Sequence, residues 1–428
     1  MHGVMPAERL FVNAAQVVTC AGPGRARRGD EMRDAGVLTD AAVLVRGEVI
    51  AEVGSAAELD AKYRDAERVD CRGGVLTPGL VDSHTHAVFG AARYEEQGMR
   101  AAGVGYMEIA QAGGGIHSSV RSVRGASEDE LTDLARRRLA RLASYGTTTV
   151  EVKSGYGLRV EDELKQLRVI ARLAGDLPLR LVPTWLGAHE IPPEARVSPA
   201  ARGDYVRMLA EEMLPRVVAE RLAIFADVFC EPGVFTLEET RYILEAAKKG
   251  GLKLKLHADE LEPSGAAELA AALGATSADH LAAISRAGVD ALASSGTVAT
   301  LLPGTMLFLG RGRQAPARAL MEAGASVALA TDFNPGTSPT VNLPLILTLG
   351  VSQLRMSPAE AILAATVNGA AALGLAARVG QISAGYSADL ALFEMEDVRE
   401  LPYWYGERRC MSTWLRGKTC DEYRLAIS

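Results

Sequence analysis

At 428 residues, with 48% hydrophobic and 23% charged side chains, the chain can bury a large core, and wholesale disorder is excluded. Its 46 basic and 53 acidic residues leave a formal net charge of −7, which argues against a nucleic-acid footprint or a polybasic membrane surface. No uninterrupted apolar stretch approaches the ~18 residues of a membrane span. Five scattered cysteines without CxxC spacing suggest neither a disulfide framework nor a thiolate zinc site. With no apolar export segment in residues 1–9, the expected setting is cytoplasmic.

In chain order, residues 10–19, 42–46 and 49–53 read as short strands, the last two joined by a Gly47-Glu48 hairpin turn. Residues 22–36, rich in Gly, Arg and Asp without periodicity, read as an exposed loop. Apolar runs then alternate with helical patterns, and the candidate strands are 75–82, 147–152, 179–186, 223–229, 252–256, 275–279, 296–302 and 326–330. Helices are expected at 128–144, 161–174, 237–249 and 266–273, with a closing helix at 358–373. Strands return within 380–393 and at 412–416, before a Gly417-Lys418 turn. Eight strands separated by helices predict an α/β protein, a (β/α)8 TIM-type barrel spanning 76–375. The two β-rich ends, 1–75 and 376–428, predict one small β-sandwich-like domain.

In such a barrel the active site gathers at the C-terminal strand ends. Those ends carry His84/His86, Lys153/Tyr156, His189, Glu231, His257/Glu260, His280, Pro303/Gly304 and Asp332/Asn334. His84 and His86 share one strand face, where two imidazoles displace the usual branched aliphatics, so the pair is either a metal site or two hydrogen-bonded surface histidines. Glu260, three residues after His257, is placed to exchange protons with a water activated by a cation, or is a solvated loop acid. Asp332 either caps a helix or ligates metal, and the Phe333-Asn-Pro-Gly336 turn after it favours ligation. His189 and His280 end strands at the same mouth, where they could polarise or bind substrate. His117, after Gly113-Gly-Gly115, reads as exposed, in a loop able to serve as a lid. Arg93 by spacing alone is a surface arginine, although it could hold a carboxylate bidentately. Tyr156 is either core or ligand-facing.

The HxH, the HxDE at His257-Ala-Asp-Glu260, the strand-end His280 and the strand-end Asp332 together resemble the amidohydrolase superfamily. The more specific strings Lys153-Ser-Gly-Tyr-Gly157 and Thr331-Asp-Phe-Asn-Pro-Gly336 resemble the member that opens the imidazolone ring in histidine degradation. That resemblance implies one zinc or iron ion on His84, His86, His257 and Asp332. It implies proton handling by Glu260 and His280 beside Asp332, and substrate contacts from Arg93, Tyr156, His189, Glu260, Asn334, Gly336 and Thr337. The implied reaction is hydrolysis of the ring amide of 4-imidazolone-5-propanoate to N-formimidoyl-L-glutamate, with Arg93 meeting the propionate. Relatives with two metals carry a modified lysine on the fourth strand, where this chain has Cys230-Glu231, so one ion is expected, with Glu231 the only candidate for recruiting a second. A mononuclear deaminase of a nucleobase or related heterocycle is the competing enzyme reading. A silent scaffold would not need Glu260, His280 and Asp332. The expected partners are a small-molecule substrate and a second copy in a homodimer, without nucleic acid or membrane.

Overall fold

The computed structural model describes residues 7–104, 108 and 113–420; residues 1–6, most of the stretch read for an export segment, lie outside them. Eight parallel strands, numbered here β1 to β8, form the barrel wall: Leu80–Asp82, Thr147–Lys153, Arg180–Ala188, Phe225–Cys230, Lys253–Ala258, Ser277–His280, Val298–Leu301 and Val327–Leu329. Each is hydrogen-bonded to the next in chain order. The ring closes between β8 and β1, where Asp332 N donates to His84 O at 3.0 Å and His86 N to Phe333 O at 2.8 Å. Closure therefore falls on the residues singled out as metal ligands.

The helices between the strands form where the 3.6-residue pattern predicts them. Glu128–Ala143 starts at a capping box in which Glu130 N donates to Ser127 Oγ and Ser127 N donates to Glu130 Oε2. Its Leu131, Ala135, Leu139 and Leu142 make one buried stripe against the barrel. Thr236 caps Leu237–Lys249 in the same way. Among the described residues no helix is long and apolar enough to cross a membrane.

Three expectations change. The strand read as 75–82 is two strands: Val75–Pro78 pairs with Leu390–Phe393 and Gln16–Val18 in a second sheet, and only Leu80–Asp82 enters the barrel. Gly79 marks the transfer, since a Cβ there would lie 2.1 Å from Thr148 Oγ1. The helix read as 358–373 breaks into Pro358–Ala364 and Val367–Ala372. Between them Ala365 O accepts from Val81 N at 2.8 Å and Thr366 Oγ1 donates to Ile362 O, so the freed carbonyls are satisfied from outside the helix. The 22–36 loop is not simply exposed: Arg27 and Met32 are buried, and Arg28 reaches Ser295 O and Ser326 Oγ at the entry to β7 and β8. It covers the N-terminal end of the barrel.

Among the described residues two further sheets lie beyond the barrel. One orders Val49–Ser55, Ala41–Arg46, Glu8–Val12 and Glu67–Asp70; the other carries Val37–Leu38, Gln16–Val18, Val75–Pro78, Leu390–Phe393, Cys410–Leu415 and Lys418–Thr419. The second sheet joins N- and C-terminal segments. Phe11, Val43, Leu76, Leu390 and Trp414 share one core between the sheets, with Phe11 and Trp414 edge to face at 5.0 Å.

Candidate metal centre and substrate cavity

The strand ends bring four donors together in a fully buried nest. His84 Nε2 and His86 Nε2 are 3.3 Å apart, and Asp332 Oδ1 lies 3.6 and 3.5 Å from them. Donor atoms of His84, His86 and His257 all fall within 4.8 Å of one another, as do those of His84, His280 and Asp332. Burial above all, then neighbouring cations, holds His84 well below the usual imidazole range; burial with His189 and His257 does the same for His86. Both rings are therefore neutral and carry a lone pair for a ligand. Neither His257 Nδ1 nor Nε2 has a hydrogen-bond partner, although both are buried. Three imidazoles and one carboxylate, converging with orphaned nitrogens among them, are a donor set that suits a metal ion. The residues fit a metal.

Backbone strain concentrates here. His280 has φ 79° and Asp332 φ 52°, left-handed conformations that cost about 1–3 kcal/mol each and persist where surroundings over-determine them. For Asp332 the surroundings are explicit. Its amide is tied to β1, Thr305 Oγ1 donates to its Oδ2 at 2.5 Å, and Asn334 Nδ2 donates to its carbonyl at 2.7 Å. Burial raises the Asp332 carboxyl to about 6 despite the Thr305 hydroxyl. Glu260 is raised further, to about 8, by burial first and then by the Asp332 and Glu231 carboxylates. Its Oε2 stands 3.6 Å from His280 Nδ1.

His86, His257, Glu260, His280 and Asp332 line one cavity together with Arg93, Tyr156, His189, Asn334 and Thr337. The predicted substrate residues other than Gly336 thus share a cavity with the predicted ligands other than His84. Arg93 lies across the turn after Asp332: a Cβ on Gly336 would sit 1.4 Å from its guanidinium, so only glycine leaves room for it. Glu96 Oε1 is 3.4 Å from Arg93 Nε and also accepts from Gly115 N at 2.8 Å, tying the arginine to the glycine-rich segment. Asn334 reaches the cavity with its amide already spent on the turn, accepting from Gly336 N and Thr337 N and donating to Asp332 O and Thr337 Oγ1. His189 donates Nδ1–H to Gly155 O at 3.0 Å and stacks on His86 with ring centroids 5.0 Å apart. Tyr156 is buried beside both rings.

Some residues take places the sequence did not suggest. Glu231 accepts from the backbone amides of Glu260, Leu261 and Glu262, so its oxygens hold the loop that carries Glu260 rather than facing a cation. His117 is half-buried in the first turn of Ile116–Gly125, not in an exposed loop, because burial of Ser119, Val120 and Val123 docks that helix. Glu163 was overlooked: wholly buried, it accepts from Gly155, Gly157 and Leu158 N and so shapes the Lys153–Gly157 loop. An acid in the first turn of the helix following a glycine-rich loop was the available signal. Phe229 and Arg311 also line the cavity. Neither carries a spacing cue in the sequence.

A closed parallel barrel with a three-histidine, one-aspartate centre at its mouth and a β domain drawn from both ends defines the metal-dependent hydrolases of the amidohydrolase type. The chain belongs to the amidohydrolase family, whose model matches residues 75–419. N-terminal to that match, an "Imidazolonepropionase-like composite domain, bacteria" matches residues 41–66. The imidazolonepropionase of Shouchella clausii is 47% identical over 97% of this chain and 94% of its own length. That of Geobacillus kaustophilus is 46% identical over 96% and 97%. Among solved structures, a zinc-bound adenosine deaminase from Xanthomonas campestris superposes with a TM-score of 0.70 at 21% identity, over 97% of this chain and 93% of that one. The 5-methylcytosine deaminase of Klebsiella pneumoniae gives 0.69 at 16%, over 96% and 97%. At that identity the likeness is one of fold.

Proposed function

We propose that this chain hydrolyses the ring amide of 4-imidazolone-5-propanoate, giving N-formimidoyl-L-glutamate. The observation that carries the reading is Arg93, seated over the Asn334–Thr337 turn in the same cavity as the imidazole cluster. A hydrolase acting on an anionic heterocycle needs such a cation; a deaminase of a neutral base does not. Relatives named imidazolonepropionase over nearly the full chain support the same reading.

His84, His86, His257 and Asp332 would hold one zinc or iron ion, which when bound polarises a carbonyl and brings the pKa of a bound water toward about 7. Arg93 binds the propionate through its paired N–H groups. Tyr156 and His189 close the side of the cavity against the ring, and the Asn334 turn with Gly336 and Thr337 sets its depth. In its ionised form Glu260 takes a proton on Oε2 from the attacking water and passes it to the ring nitrogen as the C–N bond breaks. His280 donates a hydrogen bond to the oxygen that becomes negative.

The test follows the ultraviolet absorbance of freshly generated imidazolone propionate, with wild type against Glu260→Gln. Turnover by the wild type and its loss in the variant are expected; a wild type that carries metal yet turns over only a nucleobase would shift the assignment to deamination. Metal analysis should find one ion per chain, and its identity decides between zinc and iron. We further assign the chain to the cytoplasm, supported by Cys20, Cys71 and Cys230, which lie buried outside any disulfide, and to a homodimer, checked by sedimentation. The expected boundary of 76 moves to 80, because Val75–Pro78 pairs in the small sheet: the barrel domain is assigned to 80–375 and the small β domain to 1–79 with 376–428, to be checked by limited proteolysis.

A further inference from the structure

Behind the ligands, toward the barrel interior, lie five charged side chains with no solvent exposure: Glu151 and Lys153 on β2, Asp227 on β4, Lys255 on β5 and Asp279 on β6. Lys153 Nζ is 2.7 Å from Asp227 Oδ2 and 2.8 Å from Glu151 Oε2. Lys255 Nζ is 3.0 Å from Glu151 Oε2, 3.5 Å from Asp279 Oδ2 and 2.8 Å from Ser83 O. Thr184 Oγ1 donates to the other oxygen of Glu151.

The two outer acids face imidazoles. Asp279 Oδ2 is 2.7 Å from His84 Nδ1. Asp227 Oδ2 is 3.0 Å from His257 Nδ1, an ion-pair contact outside hydrogen-bond geometry, while its Oδ1 accepts from His257 N at 3.1 Å. An unbroken chain of charge contacts thus runs from His84 on the β1 side to His257 on β5. Burying these ions costs several kcal/mol each, and barrel interiors are ordinarily filled with branched aliphatics, so stability alone does not account for them. Nor do they form a second cation site. His84, Glu151 and Asp279 do bring donor atoms within 4.8 Å, but the two ammonium groups already occupy the space between the carboxylates.

We propose that Lys153 and Lys255 are positioning residues that pin Asp227 and Asp279 against the Nδ1 side of His257 and His84, so that both rings carry their proton on Nδ1 and present Nε2 to the ion. Partners of this kind orient ligating histidines, and losing one typically costs 10–100-fold in metal affinity. The inference rests on the metal centre proposed above. It adds that the two ligands are fixed by one shared ionic lattice rather than separately.

Cobalt(II) titration of the metal-free protein, with affinity read by chelator competition and geometry by the visible d–d spectrum, tests it on wild type, Lys153→Met, Asp227→Asn and the double variant. Lys153→Met should bind cobalt roughly 10–100-fold more weakly with an altered spectrum. The double variant removes one charge of each sign, so its thermal stability should recover relative to Lys153→Met while its affinity stays low. Recovery of wild-type affinity and spectrum along with stability would overturn the proposal and leave the lattice a purely structural feature. Should Lys153→Met fail to fold, the double variant and Asp279→Asn carry the same comparison. A wild type that binds no cobalt would instead refute the metal centre itself.

Discussion

At the scale of single residues, the site depends on groups that touch nothing reactive. Gly336 is the clearest: adding one methyl group collides with the Arg93 guanidinium, and no backbone contortion is involved, since the obstacle is a side chain. Gly336→Ala should displace Arg93 and raise KM for the propionate substrate about tenfold or more, the worth of a charge-assisted contact, while kcat falls less. Steady-state kinetics checks the split, and an unchanged KM would remove Arg93 from substrate binding. Glu163 offers a second case. Glu163→Ala strands three buried amides and should cost about 1–3 kcal/mol by denaturant unfolding, with activity falling as the Tyr156 loop loosens. Most of the ligand set was legible at this scale, because a histidine or aspartate ending a buried apolar run has few reasons to be there. Glu163, Asp227 and Asp279 were not, since an acid in sequence looks alike whether it meets solvent, an amide or an imidazole.

At the scale of elements, period-2 alternation explains how one strand serves both wall and interior. In β2, Thr147, Thr149, Glu151 and Lys153 share one face and Thr148, Val150 and Val152 the other, all of them buried. Such a strand reads as mixed in sequence, and only the neighbouring strands reveal that its polar face is inward. The Val75–Asp82 segment was legible as extended but not as divided between two sheets. Both halves are apolar, and the division follows from Gly79 passing under Thr148. Gly79→Ala should cost about 1–3 kcal/mol through overpacking at this crossing, read as a lowered midpoint in urea. The loop beneath the barrel gives a pH prediction. Arg25, bonded to both oxygens of Glu31, holds that carboxyl down to about 2. A depressed carboxyl stabilises above its unfolded value near 4.5 and loses that stabilisation as pH falls toward 2. The pair is largely exposed, so the effect should stay below about 1 kcal/mol. Wild type and Glu31→Gln should converge in stability as pH falls through that window.

At the scale of the whole molecule, the barrel closes on its candidate metal ligands. Asp332 and His86 supply hydrogen bonds across the β8–β1 seam, and a cation shared by His84, His86 and Asp332 would bridge that seam from inside. Removing metal with a chelator should therefore lower Tm, by the linkage free energy of the bound ion, about 4 kcal/mol at a thousandfold excess over Kd. Differential scanning calorimetry of metal-free and reloaded protein measures it. A Tm indifferent to chelation would mean that the seam holds without the ion.

The order of strands and helices, the candidate donors at the strand ends and the two signature turns were determined by sequence alone, because each is written in local periodicity or in a residue type out of place on its strand. Tertiary structure decided the rest. Arg93 reads as a surface arginine until Gly336 is folded against it, Glu231 reads as a possible ligand until its oxygens meet three loop amides, and the buried lysines acquire meaning only opposite their acids. These are contacts between residues tens to hundreds of positions apart, where charge and hydrogen bonding depend on which atoms meet across the barrel rather than on their order along the chain.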